Sequence, residues 1–117
     1  VRVYATDEPG HGGACHEYEM RFKGRDNMAA PPQYISFQNG PIKEYGVNGT
    51  TQEALAAIII DRLACFQAGP FACDENAWAL ESFRQGLAML QRRTRRCTQE
   101  FASPFYFLKS KGSMPIR

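Results

Sequence analysis

Gly69-Pro70 constrains this chain more than any other feature, because it divides two segments that each carry helical periodicity. Glycine readily takes the left-handed conformation that ends a helix, and proline disfavours helix in the residue before it. Asp74, Glu75 and Asn76 then suit the start of a second helix, where unpaired backbone N–H groups favour acceptors and negative charge. The two segments are therefore predicted to form a helical hairpin. Its bend, Phe66 to Asn76, places two aromatics, Phe66 and Phe71, and an amide beside exposed N–H groups. Such a bend can hold a nucleobase.

The spacing predicts a first helix from Thr50 to about Gln67. Thr50-Thr51-Gln52-Glu53 has the spacing of a capping box, in which a threonine hydroxyl and a glutamate three residues on satisfy opposite orphan N–H groups. Leu55, Ile58, Ile59, Leu63 and Phe66 recur at three- and four-residue intervals, and the Ile58-Ile59-Ile60 run widens the buried face enough for two covering surfaces. In the second helix Leu80, Phe83, Leu87 and Leu90 alternate at three and four, the spacing of an antiparallel seam. Gly86 within it costs about 1 kcal/mol relative to alanine. A close approach to another backbone, in the core or in a second subunit, would account for it.

Ahead of the hairpin the period changes to two. His16, Tyr18, Met20 and Phe22 alternate with Glu17, Glu19, Arg21 and Lys23, which predicts a half-buried strand. Val1 to Ala5 reads as a short edge strand, Asp7 to Gly13 and Gly24 to Pro32 as loops, and Gln33 to Gln38 as another strand. Turns are expected at Asn39-Gly40-Pro41 and Asn48-Gly49, with a further short strand over Ile42 to Val47 between them. The expected fold class is α+β: a small N-terminal antiparallel β-sheet followed by a two-helix antiparallel hairpin. A single domain over 1–117 is expected, with the sheet over about 1–49, the hairpin over 50–100 and an aromatic tail over 101–117. Phe105-Tyr106-Phe107-Leu108 in that tail would pack on a neighbour rather than face water.

Composition narrows the function. No apolar run approaches the roughly 18 residues of a membrane span, and no charged-then-apolar leader predicts export. A net charge of +2 is too small for a general DNA binder, so the arrangement of charge matters more than its sum. It gathers at Arg92, Arg93, Arg95 and Arg96, where cations also complement a helix C-terminus. The four cysteines, Cys15, Cys65, Cys73 and Cys97, lack any C-x-x-C spacing, which predicts free thiols and no metal site; Cys65 and Cys97 read as small buried helix residues. No nucleophile elbow, P-loop or zinc-protease motif occurs. His16 reads as a satisfied core histidine, and Asp61-Arg62 as a charge couple that could brace a pocket.

Binding is therefore the better reading than catalysis. Phe66 alone is a helix-end core residue and Asn76 alone a first-turn polar residue. On two sides of one bend they form a minimal base-reading pair, because a ring stacks for roughly 1–3 kcal/mol and an amide pairs with a base edge. Arginines would then meet phosphate. Asn76 and Arg93 stand roughly 17 residues, or about 25 Å, apart on one helix, so one small ligand reaches both ends only if a second copy of the chain brings its basic end to the bend. The candidate ligand-binding residues are Phe66, Phe71, Asn76, Arg93 and Arg95. Two other readings stay open on residues alone: a nucleotide-degrading enzyme using Glu44, Asp61 or Glu75, and a structural hairpin oligomer in which Phe66 and Phe71 are core.

Phe37-Gln-Asn-Gly-Pro-Ile-Lys-Glu44, Gly46-Val-Asn-Gly49, Asp61-Arg62-Leu63, Phe66-Gln-Ala-Gly-Pro-Phe-Ala-Cys73, Glu75-Asn76 and Arg93-Thr94-Arg95, in this order and spacing, resemble the phage Thoeris anti-defence family, first type, over about residues 15 to 96. Members of that family resemble one another in a small sheet followed by a helical hairpin, the hairpin being shared with an anti-CBASS sponge family. The resemblance implies a phage immune-evasion protein of the host bacterial cytoplasm. It would bind glycocyclic ADP-ribose made by TIR-domain enzymes and sequester it uncleaved, with no cofactor. It also implies a homo-oligomer, a dimer or a hexamer built from dimers. The family's stacking phenylalanine and base-contacting asparagine fall on Phe66 and Asn76. Hexameric relatives carry a separate arginine site for cyclic trinucleotides; this chain keeps Arg93 but has Cys97 and Gln99 where the family commonly continues with arginines, which predicts weak trinucleotide binding.

Overall fold

The computed structural model describes residues 1–25, 28 and 30–97, which fall into two units divided between Thr51 and Gln52. In the first, β1 (Arg2–Ala5), β2 (Glu17–Arg21) and β3 (Gln33–Ser36) form one antiparallel sheet in the order β1-β2-β3. The register pairs Val3 with Met20, Ala5 with Tyr18, and Tyr18 with Ile35. Period-two alternation thus gathers these apolar residues on one face, as the sequence predicts, and Tyr18 meets Phe37 edge-on at 5.6 Å. The opposite face is polar and aromatic: Arg21 pairs with Glu19 at 3.2 Å and lies 4.2 Å over the Tyr4 ring.

His16 flanks β2 and is buried. Its backbone N–H donates to Asp7 Oδ2 at 2.9 Å, but its Nδ1, 4.0 Å from the same carboxylate, finds no hydrogen-bond partner among the described residues. The expected satisfied histidine is therefore buried with one ring nitrogen unsatisfied. Asp7 accepts from the N–H groups of both His16 and Glu17, pinning the first loop to the start of the central strand.

The short strand expected over Ile42 to Val47 is instead one helical turn, α1 (Ile42–Tyr45). Pro41 supplies the pre-set φ at its start and the Pro41 carbonyl accepts from Glu44 and Tyr45, while Gly46, at φ 70°, ends the turn by donating to Ile42 O at 2.8 Å. Side chains close the surrounding loop. Asn48 Oδ1 accepts from Asn39 N at 2.8 Å, Asn48 Nδ2 donates to Asn39 O at 2.9 Å, and Gln38 Nε2 donates to Gly46 O at 2.8 Å. A Cβ at Gly49 would overlap the Phe37 carbonyl, so the turn there requires glycine by close approach. The segment from Phe37 to Gly49 is one closed loop.

In the second unit α2 (Gln52–Gln67) and α3 (Asp74–Cys97) form the hairpin, at the predicted ends. Ala57, Ile60, Leu80 and Leu87 are its buried core, with Ala56, Leu63 and Ala64 packed against them. The expected face of α2 is out of phase: Ile60 is fully enclosed, whereas Ile58 is 50% exposed and Ile59 also open. Phe83 is likewise exposed on α3. The glutamate of the expected capping box is buried, and its Oε1 accepts from Arg93 Nη2 at 3.1 Å across the open end of the hairpin. That contact and the closed bend opposite fix the antiparallel sense. Cys65, expected in the core, is exposed. The Cys97 side chain, Gln99 and the tail 101–117 lie outside the described residues. Among the described residues no helix is long and apolar enough to cross a membrane.

Candidate functional site

The bend is built by its own hydrogen bonds. At the end of α2 the ladder tightens, with Ala68 N donating to both Ala64 O and Cys65 O and Gly69 N donating to Phe66 O at 3.1 Å. Gly69 is not among the glycines with positive φ, so the expected left-handed ending gives way to a 3₁₀-like turn that Pro70 then stops. Gln67, the last residue of α2, reaches over the turn, its Oε1 accepting from Cys73 N at 3.0 Å. Cys73 Sγ in turn accepts from Asn76 N at 3.4 Å, so a thiol rather than an oxygen caps α3. Sequence reading missed this because cysteine is not a usual cap. Asp74 and Glu75 complete the acidic first turn.

These bonds bring Phe66, Phe71 and Asn76 together. The two rings stand edge to face, 6.2 Å between centroids and 85° between planes, which fits the attraction of a ring edge for a ring face. Phe66 is 38% exposed and Phe71 71% exposed, unusual for rings at a helix bend of a structure that uses them only as core. Asn76 Nδ2 donates to Phe71 O at 3.2 Å. One turn back on α2, the Arg62 guanidinium lies 5.5 Å from the Phe66 centroid. The Asp61-Arg62 couple thus contributes a cation to the bend itself.

Arg93 and Arg95 stand at the other end of α3. Arg95 is exposed, and Arg93, half-exposed, pairs with buried Glu53. Within one chain these two are not brought to Phe66, Phe71 and Asn76. The chemistry at the bend is stacking, hydrogen bonding and positive charge. Among the described residues no three His, Cys, Asp or Glu side chains converge to hold a metal ion.

The sequence profile of the Acb2/Tad1 hairpin domain matches residues 29–95, more than half of the chain. This chain belongs to the Acb2/Tad1 hairpin-domain family. The matched residues run from just before β3 nearly to the end of α3, and so contain the whole bend. The chain is also 43% identical over 60 residues to Thoeris anti-defense 1 of Bacillus phage SBSphiJ7. That alignment takes in 51% of this chain and 42% of the relative, less than half of the relative's length.

Proposed function

We propose that this chain is a phage anti-Thoeris protein that binds glycocyclic ADP-ribose in the host bacterial cytoplasm and sequesters it without cleavage. The observation that carries this reading is the convergence of two exposed aromatic rings, one amide and one guanidinium at a single bend. The rings offer the adenine a stacking partner, Asn76 a base-edge contact, and Arg62 a positive charge for the diphosphate. The family membership and the relative's name support the same assignment. Stacking rings, an amide and a guanidinium hold a nucleotide but do not themselves activate water; a hydrolase would have to draw on Asp61 or Glu75, the carboxylates next to Arg62 and Asn76 in sequence.

Assembly into a dimer, or a hexamer built from dimers, belongs to this reading. Ile58, Phe83 and Met89 leave apolar surface on the hairpin, and a Cβ at Gly86 would meet nothing within 4 Å among the described residues beyond its own helix backbone. A second copy would cover that surface and could bring Arg93 and Arg95 to the bend. Mass spectrometry of material co-purifying from cells that express a TIR cyclase tests the assignment. Intact glycocyclic ADP-ribose is expected at a fixed ratio to protein; nucleotide-free protein from messenger-producing cells would refute it.

A further inference from the structure

Asn76 is held at two points. Its backbone N–H is bound by Cys73 Sγ, itself placed by Gln67, and its side chain donates from Nδ2 to the Phe71 carbonyl. A carbonyl accepts and cannot donate, so this contact fixes which end of the carboxamide is nitrogen. Rotating the amide by half a turn would set Oδ1 against the Phe71 oxygen, two acceptors facing each other. An unanchored asparagine can turn to suit either of two base edges; this one is locked.

Resting on the reading of the bend as the nucleobase site, we infer that the Phe71 carbonyl makes Asn76 a one-way reader of the base. It presents Oδ1 as acceptor and the second Nδ2 hydrogen as donor. That pattern complements the amino edge of adenine, an exocyclic N–H beside a ring-nitrogen acceptor. Hypoxanthine has an oxygen in place of that amine. It would set an acceptor against Oδ1, and the rotation that would relieve the clash breaks the bond to the Phe71 carbonyl. Phe71 thus sets specificity through its backbone while its ring serves the stack.

The test varies the ligand, so the protein remains intact. Wild-type protein is titrated calorimetrically with glycocyclic ADP-ribose and with the same cyclic nucleotide carrying hypoxanthine. The two bases have the same bicyclic frame and stack alike, so a difference reports the edge contact. Binding of the hypoxanthine form is expected to be roughly ten- to a hundredfold weaker. Equal affinity for both would overturn the one-way reading while leaving the nucleotide site standing; binding of neither would overturn both. In Asn76→Ala the ratio of the two affinities should fall toward one, and a ratio that persists there would also overturn the inference.

Discussion

Glu53 keeps a side chain only 5% exposed, and Arg93, 52% exposed, is the cation that balances it. Removing Arg93 leaves a buried carboxylate without its charge-assisted partner, so Arg93→Ala should destabilise the hairpin by about 1–2 kcal/mol, less than a fully buried pair because the guanidinium is half in water. Arg95→Ala, at an exposed position, should stay within about 0.5 kcal/mol of wild type. Urea denaturation of both variants separates the two roles. Asp7 behaves differently, since the N–H of His16 holds its carboxyl below the ordinary carboxylate range. The unfolded state binds the proton more readily, so this contribution is present in full above about pH 4 and lost as pH falls through the folded value. Asp7→Asn should therefore lie furthest below wild type at neutral pH, the gap closing in acid; thermal melts at the two pH values read it.

At the scale of elements, the central strand and α3 were legible because each carries a clear period, and α2 because its ends are marked by Thr50-Thr51 and Gly69-Pro70. Glu17 to Arg21 alternates over a sheet with one apolar face, and Leu80 and Leu87 mark the buried seam of α3. Ile42 to Val47 was misread because apolar content cannot distinguish a short strand from one helical turn; Pro41 and Gly46, which start and stop α1, decide it through φ. The α2 face was misread because Ile58, Ile59 and Ile60 are equally apolar, and the small Ala57 that flanks Ile60 in the core gives a weak signal. The candidate site was legible in Phe66 and Asn76 but not in Cys73 or Gln67, whose contacts arise only once the bend closes. Gly86 yields a prediction at this scale. A methyl there clashes with nothing among the described residues, so Gly86→Ala should stabilise the dilute protein by about 1 kcal/mol. Guanidinium denaturation checks the gain, and sedimentation of the same variant reports whether that surface also faces a second subunit.

For the whole molecule, one hairpin serves two ends: the bend gathers rings, amide and Arg62, while the far end carries Arg92, Arg93, Arg95 and Arg96, with Arg93 pinned to Glu53. An arginine committed to a buried carboxylate is less free to meet a phosphate, so cyclic tri-adenylate should bind this chain poorly, as titration would show. Ligand released by heating the saturated complex should chromatograph as unaltered glycocyclic ADP-ribose, with no linear product growing in over time. The most direct test of the central claim is calorimetric titration of glycocyclic ADP-ribose into wild-type protein and Phe66→Ala. Losing one stacking face should weaken binding by roughly ten- to a hundredfold while the helical spectrum and assembly are retained. Unchanged affinity in a folded Phe66→Ala protein would contradict the assignment of the nucleotide site to this bend.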